Sequence, residues 1–209
     1  MISTAAIASL SLNLSLVIYL TNYIPQLLHN HRSTHISNLS SYFHALLFIS
    51  YFADLLYGFG CQLPWQYKLV SISGVFYLYF QHRQLKPFLD SRVLLWTNII
   101  LFFLMALFII FYVIDKSFLF TLFGYIAEAA GVACALPQII KNIGTAAALS
   151  LSASYLGLKL ISEICDNISA HLLSWPLPSK IGAAISMILC LVMIHQLYRA
   201  RILHSQVIA

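Results

Sequence analysis

Charge is what this sequence has least of. Lys, Arg, Asp and Glu make up 8% of its 209 residues, against about 25% in a soluble domain. So few charged groups cannot cover a water-facing surface, and a soluble globular fold is excluded. The basic residues are scattered over short segments, so the net charge of +5 points to membrane topology and not to a nucleic-acid partner. Cysteine is scarce too. Cys61, Cys134, Cys165 and Cys190 form no CxxC pair, which removes the usual zinc and disulfide signatures and leaves them as small apolar packing residues. No metal and no cofactor is expected. HExxH and GxSxG are missing, as is a paired His-Asp cluster, so the chain is not read as an enzyme. Nor does any connection reach the length needed to separate soluble domains.

What is present is apolar length. Hydrophobic residues make up 61% of the chain, and runs such as Val93 to Ile114 and Ile181 to Ile194 approach or reach the ~20 residues of a membrane-crossing helix. Unbroken runs, in place of alternating residues, indicate helices and not a barrel. The chain is apolar from Ile2 onward, with no basic region ahead of a full span, so this segment reads as a first helix and not as a cleaved signal. Hydropathy and turn residues predict seven spans, near 4–28, 39–59, 65–81, 93–114, 118–140, 150–172 and 180–198.

Lys and Arg orient these spans. Arg32, Arg83, Lys86, Arg92, Lys141, Arg199 and Arg201 fall on one side; Lys68, Lys116 and Lys180 fall on the other, and Lys159 lies within a span. That bias puts the C-terminus in the cytoplasm and the N-terminus outside, which an odd number of spans requires.

The chain also resembles itself. Tyr23-Ile24-Pro25-Gln26-Leu27-Leu28-His29-Asn30 returns 112 residues later as Ala135-Leu136-Pro137-Gln138-Ile139-Ile140-Lys141-Asn142. Ser33 then meets Thr145. After one inserted residue, Ser37, Ser41 and Tyr42 meet Ser150, Ser154 and Tyr155, and Asp54 meets Asn167. Three helices begin and end on opposite faces, so a second copy in the same orientation needs one extra crossing before it. The fourth span, with no ionisable residue from Val93 to Ile114, supplies that crossing.

Two Pro-Gln dipeptides in register within seven spans resemble the PQ-loop family. That family includes cystinosin and lysosomal cationic amino-acid exporters and, more distantly, SWEET sugar transporters and KDEL receptors. The resemblance implies an all-α membrane fold in a 3+1+3 arrangement. Residues 1–81 form one triple-helix unit, 82–117 a linker helix with its loops, and 118–209 a second unit with a short tail. It also implies hinges at Pro25-Gln26 and Pro137-Gln138. Proline lacks an amide hydrogen and frees the carbonyl four residues earlier, at Thr21 and Ala133, where the adjacent glutamine amides are placed to bond. The alternative is that each proline only marks a helix end.

Ionisable residues inside spans mark substrate or proton routes, because each costs ~2.5–3.5 kcal/mol to insert. Asp54 lies in the second predicted span and Glu128 in the fifth. In the sixth, Tyr155, Lys159, Glu163 and Asp166 follow steps of four, four and three with Asn167 beside them, forming one polar stripe that cannot face lipid. An internal Lys159–Glu163 pair that only pins the bundle is one reading, and hydration of Asp54 near an outer mouth is another. The surplus of acids over the one lysine suits a cationic or zwitterionic solute, and low dielectric favours the neutral form of a carboxyl, as proton coupling requires. Proton-coupled relatives place an acid about two turns into the helix after the second Pro-Gln. Here Lys159 stands at that depth, which moves the expectation to Glu163 and Asp166.

The expected function is transport of a small polar solute, an amino acid or cationic metabolite, by alternating access with proton coupling. SWEET-like sugar transport is the alternative, weakened by the interfacial placing of Trp65, Trp96 and Trp175; a KDEL-receptor-like receptor or scaffold is the other. The partners expected are the solute, protons and the lipid bilayer, with no nucleic acid. A monomer suffices for a pathway, and an oligomer is compatible with it. His29, His31 and His35 read as solvated loop residues, and Asn13 and Asn98 as interhelical hydrogen-bond partners.

Overall fold

Residues with long apolar runs in a chain this poor in charge satisfy their backbone internally, as helix, wherever water is excluded. A computed structural model describes residues 4–33, 35–114, 117–143, 146–175 and 177–208, and among these it is helical with no strand. Ile2, Lys116 and Thr145, used in the reading above, lie outside the described residues. The helices are α1 (Thr4–Arg32), α2 (Ser41–Gly60), α3 (Trp65–Leu85), α4 (Ser91–Val113), α5 (Thr121–Asn142), α6 (Ala153–Leu172) and α7 (Leu177–Ile208). Each predicted span holds one of them. By length and composition five can cross a membrane: α1, α2, α4, α5 and α7. The other two, α3 and α6, are as long but more polar, and both contribute polar side chains to the interior described below.

The outer surface suits hydrocarbon. Phe102, Phe103, Tyr112 and Val113 on α4 are among many large apolar residues left exposed, a patch that water would not tolerate on a monomer. Only Val93, Thr97 and Leu104 of α4 are buried. This helix packs on α2, and its Phe108 and Phe111 meet Phe120 and Phe123 at the start of α5 with ring centroids 5.2–6.3 Å apart. Asn13 and Asn98 stand on exposed faces of α1 and α4, so the expectation that they join helices is corrected.

Inside, the packing has a matched form. The most extensive pairs are α2 with α5 and α1 with α6; α1 meets α3 as α5 meets α7, and α2 meets α3 as α6 meets α7. Where lipid gives no hydrophobic drive between helices, close approach and hydrogen bonds hold them together. Gly74 on α3 illustrates the first: a Cβ there would fall within the ring of Tyr51.

Helix ends repeat at a constant offset. Ser40 caps α2 by accepting from Phe43 N, and Ser152 caps α6 by accepting from Tyr155 N. At the far ends Leu63 N donates to the Gly58 carbonyl and Trp175 N to that of Ala170, both at 3.0 Å. Gln62 and Ser174 turn the chain there with φ of 52° and 53°. All of these pairs stand 112 residues apart. The expected single-residue insertion is therefore corrected: Phe43, not Tyr42, takes the place of Tyr155, and Asp54 corresponds to Asp166 and not to Asn167. Tyr42 is exposed whereas Phe43 and Tyr155 are buried, so the side chain that packs sets the register.

Candidate functional site

A cavity of about 150 Å³ opens inside the bundle, with α1, α2, α3, α5, α6 and α7 all contributing to its wall. Helical spacing explains who reaches it. Lys159, Glu163 and Asp166 occupy one face of α6, Asp54 points in from α2 and Glu128 from α5, and all five line the cavity. Tyr155 is buried one turn before Lys159 and lines a smaller adjoining pocket with it. Asn167 turns back on its own helix and donates to the Glu163 carbonyl at 2.8 Å.

Most of these charges are already engaged. Lys159 Nζ donates to Glu163 Oε1 at 2.6 Å, with side chains 18% and 6% exposed. Asp166 accepts from Ser15 at one oxygen and from Tyr19 at the other, the latter at 2.7 Å. Asp54 accepts from Tyr67 at one oxygen and from Ser71 at the other, the latter at 2.6 Å. The acids thus pin α6 to α1 and α2 to α3. Glu128 forms no side-chain hydrogen bond or ion pair among the described residues.

The residues that hold these acids escaped the sequence reading, although a signal exists. Ser11, Ser15 and Tyr19 form a stripe at steps of four on α1, as Tyr67 and Ser71 do on α3, and neutral polar stripes in apolar helices are as informative as charges. Ser11 donates to the Cys165 carbonyl at 2.9 Å. Also unread was a pair at the ends of α2 and α3, the buried His44 Nε2 lying 3.2 Å from Nδ1 of the half-buried His82. The expectation of three loop histidines is corrected: His29 and His31 belong to the last turn of α1, where His29 Nε2 meets the Leu149 carbonyl at 2.9 Å, and the His35 ring meets that of His204.

The cavity reaches Gln66 in the first turn of α3 and Trp175 in the α6–α7 connection. Its other end is shut. Tyr23 packs against Tyr51, Tyr77 and Tyr155 with ring centroids 5.4–5.9 Å apart, and the two Pro-Gln segments lie beyond. Both prolines sit inside unbroken helices. Neither glutamine turns to a freed carbonyl. Gln26 accepts from Ser152 N at 2.8 Å, and Gln138 accepts from Ser40 N at 2.8 Å. Each also donates to the asparagine one turn on, Asn30 at 2.7 Å and Asn142 at 2.8 Å. Those asparagines donate in turn to Gln84 and Gln196.

Residues 7–67 match the family model of the PQ loop repeat. This part of the chain is a PQ-loop repeat. The match spans Pro25-Gln26, the first loop, all of α2 and Asp54, so the PQ-loop resemblance drawn from the Pro-Gln dipeptides is upheld. The second Pro-Gln, outside the matched residues, mirrors the first in its contacts to a capping serine and to the asparagine one turn on. No curated protein matches the chain. The chain thus carries a PQ-loop repeat over residues 7–67 and several long apolar helices.

Proposed function

We propose that this protein is a carrier that moves a small polar solute, an amino acid or cationic metabolite, by alternating access coupled to protons. The observation behind the reading is the acid-lined cavity, which reaches Trp175 at one end and meets four packed tyrosines at the other. Lys159 and Glu163 neutralise each other, so the remaining lining charge is acidic and favours a solute that brings a positive group.

In this reading residues 1–81 and 118–209 are the two triple-helix units, and 82–117 supply the linker helix. The Lys and Arg bias supports a cytoplasmic position for the Pro-Gln end. The Pro-Gln sites lie where rocking of one unit against the other opens that end, since proline weakens the helix there without breaking it. Catalysis has no part in this proposal.

One observation favours the sugar alternative. Trp175 lines the cavity mouth and meets Tyr67 edge-on at 5.9 Å, an aromatic surface on which a sugar ring can stack. Reconstitution in liposomes separates the readings. Labelled lysine, leucine and glucose are offered with and without a pH gradient. Lysine uptake that responds to the gradient supports the proposal; glucose uptake without such a response supports the sugar reading, and no uptake at all overturns both.

A further inference from the structure

The hydrogen bonds around the cavity separate its acids into two kinds. Asp54 and Asp166 each have both carboxylate oxygens engaged, by Tyr67 and Ser71 and by Ser15 and Tyr19. Glu163 is engaged by Lys159. Glu128 lines the same cavity with neither oxygen taken among the described residues. Its carboxylate lies directly on the backbone of Gly182 in α7, where an added Cβ would fall on the carboxylate itself. Glycine at that position makes the approach possible.

Glu128 is half-buried, and a carboxylate without a protein partner on the wall of a cavity gains by taking up a proton or a cation. Among the described residues the cavity wall supplies no free cation. Titratable and charged groups facing Glu128 are Asp54 and Tyr57 from α2, Tyr67 from α3, and Lys159, Glu163 and Asp166 from α6. The one lysine among them is held by Glu163. From α7 come Ser179, Ala183 and Ser186, from α1 Ser15 and Tyr19, all without formal charge.

Building on the carrier reading, we propose that Glu128 is the group on which solute and proton alternate. The ammonium of a small amine binds the ionised carboxylate, and a proton takes its place when the solute leaves. One positive charge replaces another, so the carrier exchanges amine for proton and does not move the two together. The solute class is small amines, cationic amino acids and diamines included.

Binding to the purified full-length protein tests this with lysine, cadaverine and its neutral analogue 1,5-pentanediol. Amine affinity is expected to weaken by up to roughly tenfold per unit fall in pH, as one competing proton requires, while pentanediol binding stays flat. Glu128→Gln is expected to weaken amine binding by roughly thirtyfold or more and to abolish its pH dependence, as removal of one partner of a desolvated charge pair predicts. Gly182→Ala, which displaces the carboxylate without removing it, weakens amine binding and keeps the pH dependence. Wild-type cadaverine affinity in Glu128→Gln, or in Gly182→Ala if the first variant does not fold, overturns the inference, as does pH-independent amine binding to the unmodified protein. If lysine and cadaverine fail to bind while glucose is transported, or if nothing binds or is transported, the carrier reading for amines falls with it. Transport of lysine with unchanged affinity in both variants sinks only the role of Glu128.

Discussion

Gln26 and Gln138 are exchanged between the halves: each accepts, at 2.8 Å, the backbone amide of the serine that caps the other half's second helix, Ser152 and Ser40. Gln26 also donates to the Ser150 carbonyl at 3.1 Å. The glutamines are 2% and 0% exposed, so these bonds form away from water. They lie beyond the four packed tyrosines, at the end of the cavity where both Pro-Gln segments meet the starts of α2 and α6.

Replacing Gln26 by Leu keeps the volume and removes the acceptor, leaving Ser152 N without its partner. The cost expected is about 1–3 kcal/mol, the penalty of an orphaned buried donor, with the same for Gln138→Leu through Ser40. Thermal unfolding in detergent measures both. A cysteine introduced at Asn30 should react faster with a water-soluble thiol reagent in the variants than in the parent, because the sealed end loosens. Unchanged melting in both variants removes the closing role.

Asp54 and Asp166 act chiefly as fasteners between helices. Asp166→Ala frees Ser15 and Tyr19 and detaches α6 from α1, whereas Asp54→Ala frees Tyr67 and Ser71 and detaches α3 from α2. Each should lower stability by about 2 kcal/mol or more, since hydrogen bonds to a charged or strongly polar partner exceed neutral ones. Glu128→Gln, which breaks no such bond, should melt near the parent. Melting curves of the three variants decide whether this ranking holds.

For Lys159 and Glu163 a double-mutant cycle is informative. Lys159→Met leaves an acid buried without its cation and should cost roughly 3 kcal/mol. Adding Glu163→Gln should restore more than half of the loss, because neutral groups replace both charges. Equal and additive losses mean that the 2.6 Å pair contributes nothing specific.

Gln62 and Ser174 hold left-handed backbone with φ of 52° and 53°, a conformation that costs a side-chain-bearing residue about 1–2 kcal/mol. Glycine at either position should raise stability by up to about 1 kcal/mol, once its greater freedom in the unfolded chain is deducted. The two gains should add, since the turns belong to different helix pairs. Melting temperatures of the single and double variants measure this.

The helices were legible because apolar length is a local property: every predicted span from 4–28 to 180–198 contains one of α1 to α7. The stripe on α6 was legible for the same reason, as Lys159, Glu163 and Asp166 share a face by helical spacing alone. The register of the two halves was less so. Matching Tyr42 to Tyr155 by residue type introduced an insertion that burial removes, because Phe43 is the side chain that packs. Ser15, Tyr19, Tyr67 and Ser71 went unread because a serine or tyrosine in an apolar helix announces itself only through its partner.

From the sequence alone come a membrane-embedded helical chain, its two Pro-Gln segments 112 residues apart, and the acids that must avoid lipid. All of these follow from composition and from spacing within single helices. Only the tertiary structure decided that Gln26 and Gln138 reach into the opposite half, that Asp54, Glu163 and Asp166 are satisfied, and that Glu128 lies open over Gly182. Those outcomes depend on groups up to 151 residues apart meeting in space, and whether a polar atom is paired is a property of the meeting, not of the residue.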